Sequence, residues 1–84
     1  MSNLSLVKFE KNNEPSQDQK QVISLLEDAL EHARKGHYTS LSLTMLHDDG
    51  GVLDCWHNGG RPYVMIGAIE ALKADFIAAN IEPR

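Results

Sequence analysis

The first part of the chain with helical periodicity covers residues 17–35. Its apolar positions recur at i, i+4, i+7, i+8 and i+11, which places them on one face of a helix. These positions are Val22, Leu26, Ala29, Leu30 and Ala33. Ser16, with Gln19 three residues later, has the form of a capping box, and Gly36 is the expected C′ residue. The pattern predicts a helix within residues 16–36.

A second helix is predicted for residues 61–80, and it is apolar nearly all round. At 100° per residue its apolar positions divide into two stripes on opposite sides. The bulky stripe suits packing on a sheet and comprises Met65, Ile69, Leu72 and Phe76. The small stripe lets another backbone approach closely and comprises Gly67, Ala71, Ala74 and Ala78. Its partner is either the first helix or a symmetry-related copy of the second.

Alternation of apolar and polar residues with a period of two predicts strands elsewhere. A hairpin is predicted for residues 39–57, turning at Asp49-Gly50, because such turns need the positive φ angles that glycine supplies. Partial alternation also predicts a strand in residues 1–15. In the second hairpin strand, Leu53, Cys55 and His57 alternate with Val52, Asp54 and Trp56, and the pattern leaves open which set faces the core.

The order of these elements defines the expected fold. We predict one α+β domain over residues 1–84 with the order β-α-β-β-α, in which two helices cover an antiparallel sheet. A chain of 84 residues buries only about 60–65% of its unfolded surface, so an added subunit would supply stability that a small core lacks. We therefore expect a homo-oligomer, with the Gly/Ala stripe of the second helix as its interface.

Composition narrows the classes of partner. The net charge of −4 gives no basic surface for nucleic acid, so direct nucleic-acid binding is not expected. No apolar run approaches the roughly 20 residues of a membrane span, and we expect no membrane partner. A single cysteine and the lack of an apolar leader favour the cytosol.

The stretch "WHNGGRPY" between the hairpin and the second helix is the candidate binding site. The first N–H groups of a helix attract anions, and Gly59 and Gly60 remove side-chain bulk beside them. Arg61 offers a planar set of donors that matches phosphate oxygens. Trp56 or Tyr63 would then stack on a base. The alternative is that the two glycines only turn the chain from strand to helix.

Catalytic and metal chemistry have weaker support in the sequence. Cys55 and His57 lie two apart on one strand, too far for the direct hydrogen bond of a nucleophile and its base. We interpret them as a buried cysteine beside a surface histidine. The remaining histidines, His32, His37 and His47, do not show the short spacing of a structural zinc site. We expect no metal, no cofactor and no enzymatic activity.

Four features carry a resemblance to known proteins. They are the helix ending Lys35-Gly36, the hairpin turn at Asp49-Gly50, the pair Gly59-Gly60, and "IGAIEALK" over residues 66–73. From about residue 20 to residue 78 the chain resembles short accessory proteins of tailed phages and prophages. Such proteins include oligomeric sponges that sequester cyclic-nucleotide or ADP-ribose-derived immune signals without cleaving them. The resemblance implies this context and supplies no binding residues.

The sequence thus leads to two functional hypotheses. The first is a self-associating protein that sequesters a phosphorylated small molecule of the cyclic-nucleotide or ADP-ribose type. The second is a protein–protein inhibitor whose acidic surface, with twelve acids against eight bases, blocks a basic groove of a host or phage protein.

Overall fold

The structure is a computed structural model that describes residues 16–82. Within this range it contains a helix, a β-hairpin of two strands and a second helix, in that order. The α+β class is therefore confirmed. The N-terminal strand predicted in residues 1–15 lies outside the described residues. The chain divides into two compact units, one ending at His37 and the other beginning at Tyr38.

Helix α1 spans Gln17–Lys35, as its periodicity predicts. The N–H of Gln19 donates to the Ser16 side chain at 3.0 Å, so Ser16 is the N-cap. At the other end, Gly36 closes the helix with its N–H bonded to the His32 carbonyl at 2.9 Å. Its backbone is extended, with φ −112° and ψ −177°, and the left-handed form common at helix C-termini is not used.

The hairpin consists of β1, Leu41–Leu46, and β2, Val52–His57. Gly50 has the positive φ, +95°, that the predicted turn requires. The N–H of His47 donates to the Gly51 carbonyl at 2.7 Å and closes the turn. The carboxylate of Asp49 accepts from the N–H of Gly51 at 2.7 Å and holds the loop from within.

The register of the hairpin shows which of the two alternating sets of β2 side chains lies on the more covered face of the sheet. Leu43 pairs with Cys55 and Met45 pairs with Leu53. Directly paired residues of an antiparallel sheet lie on the same face. Leu43 and Met45 are the half-buried residues of β1, so the face carrying Leu53 and Cys55 is the more covered one.

Helix α2 spans Pro62–Asn80 and begins with proline at a position where no N–H is needed. Met65 and Ile77 are half-buried, and the other described residues of the helix are exposed. Leu72 and Phe76 of the predicted bulky stripe keep 66% and 60% of their surface exposed. The expectation that the whole stripe packs on the sheet is therefore wrong for its C-terminal half.

Within residues 16–82, no side chain is fully buried. Large apolar side chains remain exposed on each described element, among them Leu30 on α1, Leu46 on β1 and Leu72 on α2. Burial of apolar surface is the main favourable term in folding. Each of the two units accordingly presents apolar surface that it does not cover by itself.

The N-cap of α1 gives a direct test of local stability. We predict that Ser16→Ala lowers stability by about 1 kcal/mol, because it removes the acceptor for the Gln19 N–H. Ser24→Ala is the matched control: Ser24 is an exposed interior position of the same helix, where alanine has the higher helix propensity. Thermal unfolding followed by circular dichroism at 222 nm should shift in opposite directions for the two variants. Equal shifts would show that Ser16 does not act as a cap.

Candidate functional site

The junction between β2 and α2 is a loop of four residues, Asn58 to Arg61, and it is held by its own hydrogen bonds. The side-chain carbonyl of Asn58 accepts from the N–H of Gly60 at 2.9 Å. Gly60 has φ +106°, a conformation that other residues adopt only with strain. Asparagine side chains commonly stabilise turns by accepting a hydrogen bond from the backbone N–H two residues later in the chain. The loop conformation is therefore set locally, by Asn58 and Gly60 together.

Gly59 joins this loop to the residues that lead into β1. Its N–H donates to the hydroxyl of Ser40 at 2.9 Å. A Cβ atom at this position would collide with the carbonyl group of Thr39, lying 2.7 Å from its carbon, and would stand 2.9 Å from the Ser40 hydroxyl. Only glycine allows the two backbone segments to come this close. Gly59 thus closes the open end of the hairpin.

These contacts change how the junction would meet an anion. The N–H groups of Gly59 and Gly60 are bonded to Ser40 and Asn58, so neither is presented to a ligand in this conformation. The first hydrogen bond of α2 runs from Met65 N–H to the carbonyl of Arg61 at 3.0 Å. The N–H groups that precede Met65 in α2 lack an acceptor within the helix. The glycines therefore shape the junction, and the first turn of α2 supplies the donors.

Arg61 occupies the N-cap position of α2. Its backbone has φ −130° and ψ 66°, and its side chain makes no capping hydrogen bond. The usual capping side chains, Ser, Thr, Asp and Asn, accept from the free N–H groups of the first turn, and a guanidinium has no acceptor to offer. The first turn of α2 also contains no acidic residue. The positive end of the helix dipole and the charge of Arg61 are thus adjacent and reinforce each other.

An open groove of about 290 Å³ lies between the end of the hairpin and the first two turns of α2. It is lined mainly by apolar side chains, with Ser42, His57 and Asn58 as the polar exceptions. The lining residues come from β1, β2, the junction and α2: Leu41, Ser42, Trp56, His57, Asn58, Pro62, Met65, Ile66 and Ile69. The groove therefore runs up to the N-terminal end of α2.

The structure distributes the predicted ligand-binding residues around this groove. Trp56 is one of its lining residues and keeps 76% of its surface exposed. Gly59, Gly60 and Arg61 form the junction next to it. Tyr63 lies on the first turn of α2, 89% exposed, and is not among the lining residues. Of the two predicted aromatic residues, Trp56 is therefore the one that lines the groove next to the junction.

Several groove residues are absent from the prediction made from sequence. Leu41 and Ser42 are placed there by the hairpin register, which pairs them with His57 and Trp56. A two-residue turn at Asp49-Gly50 would instead pair Trp56 with Leu43, because the observed pairing of Leu46 with Val52 leaves five residues in the loop and shifts the register by one. Met65, Ile66 and Ile69 depend on the direction in which α2 leaves the junction, for which the sequence carries no local signal.

The cysteine and the histidines considered for metal binding or nucleophilic catalysis do not form a cluster in the described residues. Within residues 16–82, no three His, Cys, Asp or Glu side chains group in a way that would hold a metal ion. Cys55 is exposed, so its interpretation as a buried cysteine is wrong: the face that it shares with the half-buried Leu43 is only partly covered. His47 is within 2.9 Å of Asp48 and 3.0 Å of Asp49, on an exposed turn.

The predicted interface residues lie on the outer surface of α2. Gly67, Ala71, Ala74 and Ala78 are all exposed. A Cβ atom placed on Gly67 would meet nothing within 4 Å. The hairpin–helix unit itself thus leaves the Gly/Ala stripe uncovered along its length.

Comparison of the chain with protein-family models, with curated proteins and with solved structures finds no match. No helix within residues 16–82 combines the length and the apolar character needed to cross a membrane.

The close approach at Gly59 predicts a strong effect of a single methyl group. We expect Gly59→Ala to destabilise the hairpin–helix unit by about 2 kcal/mol or more, because its Cβ would collide with the Thr39 backbone. Gly51→Ala is the control, since its new Cβ would meet the movable carboxylate of Asp49 at 3.1 Å. Urea unfolding monitored by Trp56 fluorescence at a fixed protein concentration measures both. An equal loss for the two variants would contradict the close approach.

Proposed function

We propose that this protein is a non-catalytic binding protein that self-associates and sequesters a phosphorylated small molecule at the junction of β2 and α2. The ligand class is a nucleotide of the cyclic-nucleotide or ADP-ribose type. In this proposal the flat base occupies the groove beside Trp56, and a phosphate lies at the first turn of α2 beside Arg61. The ligand is held and not turned over.

The observation that carries the proposal is the position of the groove. One end of an apolar groove meets the uncapped N-terminus of α2, where Arg61 stands at the N-cap. A nucleotide has the same two-part character, with an apolar, aromatic base and an anionic phosphate. Stacking of a base on an aromatic side chain contributes about 1–3 kcal/mol. The hairpin–helix unit therefore offers one subsite for each part of the ligand.

The size and openness of the groove support a ligand held between subunits. Its volume of about 290 Å³ is at the lower end of the roughly 300–1,000 Å³ of small-molecule sites. Because the groove is open on one side, a single copy covers only part of a nucleotide. A second subunit that closes the groove would bury the rest, and such a site between subunits suits sequestration.

The biological setting proposed here follows from the resemblance to small phage and prophage proteins. A protein that captures an immune signal without cleaving it has to act where the signal is made, in the cytosol of the infected cell. Sequestration needs no catalytic group. The proposed site accordingly consists of the apolar groove, the Arg61 guanidinium and the N-terminus of α2. The ligand class is tested by binding of nucleotides of this type to the purified protein.

Arg61 provides the test of the ligand site. Native mass spectrometry of the purified protein with a panel of cyclic dinucleotides, cyclic trinucleotides and ADP-ribose derivatives should show uptake of at least one member. Arg61→Ala should weaken its binding at least about tenfold, because a hydrogen bond to a charged group contributes about 1.5–3 kcal/mol. Arg34→Ala, which removes an equal charge from the last turn of α1, should leave the Kd unchanged.

The opposite results identify the alternatives. Equal binding by the Arg61→Ala protein would place the ligand elsewhere and leave the junction as a plain turn. A wild-type protein that takes up no panel member would remove the ligand proposal. It would direct attention to the acidic surface as an inhibitor of another protein, which a pull-down from host extract would then address.

A further inference from the structure

The apolar surface of the hairpin–helix unit continues past the groove along one side of α2. The bulky stripe starts with Met65 and Ile69, which line the groove. It continues with Leu72 and Phe76, which keep 66% and 60% of their surface exposed. At 100° per residue, the four side chains lie within about 60° of one another around the helix. The open groove and the C-terminal half of the stripe therefore lie on the same side of α2, and the unit leaves both uncovered.

The spacing within the bulky stripe matches a second copy of the same helix. The intervals from Met65 to Phe76 are four, three and four residues, which is the alternation of a heptad seam. Because the series has the same intervals in reverse, an antiparallel copy sets Ile69 opposite Leu72 and Met65 opposite Phe76. A surface that is complementary to itself is the condition for a two-fold interface between identical chains.

Charged side chains border this side of α2 and do not interrupt it. Lys73 and Asp75 lie about 70° and 90° from the centre of the stripe, one on each flank, where paired helices normally carry their charges. In the antiparallel register the two copies of Asp75 are about 13 Å apart along the axis, beyond the roughly 8 Å Debye length of physiological salt. The two copies of Lys73 come closer, and each has Glu70 of its own helix at 3.5 Å as a counter-ion.

The exposed apolar area on this side approaches what a stable dimer buries. Its main contributors are between 37% and 76% exposed. Together they present on the order of 700 Å², and a standard interface buries about 800 Å² on each partner. They are Leu41, Trp56, Ile66, Ile69, Leu72 and Phe76. The Gly/Ala stripe points away from the groove, so copies joined through it would leave this area in water.

We propose that two copies of this protein pair through the bulky stripe of α2, with the helices antiparallel and Ile69 of each opposite Leu72 of the other. In this pairing the partner's Phe76 closes the groove of each copy. The inference rests on the self-association contained in the proposed function. It adds the surface, the register and the residue that the second copy contributes, and it applies to the protein without ligand.

The register explains how an open groove becomes an enclosed site. The partner's Phe76 lies opposite Met65, which is a lining residue of the first two turns of α2. Trp56 lines the same groove from the hairpin. The completed site thus has an aromatic residue from each copy, and aromatic side chains on both sides are what a flat base needs for stacking. Neither copy alone provides both of them.

The first test uses the single tryptophan of the chain. Trp56 is 76% exposed in one copy and becomes covered in the proposed dimer. Analytical ultracentrifugation over a concentration series should show a dimer of the wild-type protein. Over the same series the acrylamide quenching constant of Trp56 should fall at least about threefold, because the core of an interface excludes solvent.

Two results of this test would overturn the proposal. One is a dimer in which Trp56 is quenched as readily as at concentrations where the protein is monomeric. The other is a wild type that stays monomeric. If Trp56 is nevertheless protected in that monomer, the groove side of α2 is covered by a segment of the same chain and not by a second copy.

The second test compares two sides of the same helix. Leu72→Glu should raise the dimer dissociation constant at least about 100-fold, because the two-fold axis buries the added carboxylate twice. Ala74→Glu is the control and places the same charge on the Gly/Ala stripe, where it should change the constant less than about threefold. Equal effects, or a larger effect of Ala74→Glu, would overturn the proposal. The quenching test uses the wild-type protein and stands even if Leu72→Glu does not fold.

The pairing and the ligand site fail separately. A monomer that gains the mass of a nucleotide in native mass spectrometry overturns the pairing and retains the ligand site. A dimer with a protected Trp56 that takes up no panel member retains the pairing and removes the ligand.

Discussion

The contact of Gly59 with the backbone of Thr39 and the hydroxyl of Ser40 is the constraint on which the hairpin–helix unit depends. It is made by residues 19 positions apart, and it brings the end of β2 against the entry to β1. From that point Asn58 and Gly60 turn the chain and Pro62 begins α2. The direction of the helix, and with it the groove beside Trp56, follows from a junction that leaves no room for a side chain at Gly59.

The second physical property that shapes this protein is its uncovered apolar surface. Local hydrogen bonds close the ends of the described elements, as at Ser16 in α1 and at Gly51 in the hairpin turn. Such bonds define the shape of each element and contribute little to its free energy of folding, since water offers competing partners. Isolated helices and two-stranded hairpins are only marginally stable in water. The exposed apolar side chains of α1, the hairpin and α2 are therefore the surface whose burial would add most to the stability of the fold.

The parts of the fold that depend on neighbouring residues could be predicted from the sequence. The capping residue Ser16, the turn glycine Gly50 and the first helical residue Pro62 each act within about four positions of the chain. The groove could not be predicted in the same way, because Leu41 and Ile69 meet only through the strand register and the path of α2. The hydrogen bonds of the Gly59 and Gly60 N–H groups could not be predicted either, because their acceptors are the side chains of Ser40 and Asn58. The exposure of Cys55 differs from expectation because the hairpin face that it shares with Leu43 is only partly covered.

The arginine at the N-cap of α2 has a consequence for how the protein responds to ionic strength. Arg61 places a positive charge beside the positive end of the helix dipole, and the first turn of α2 has no acidic residue to offset it. Dissolved salt screens this repulsion at an exposed site. The junction between β2 and α2 is therefore a place where the ionic composition of the surroundings acts on the stability of the hairpin–helix unit.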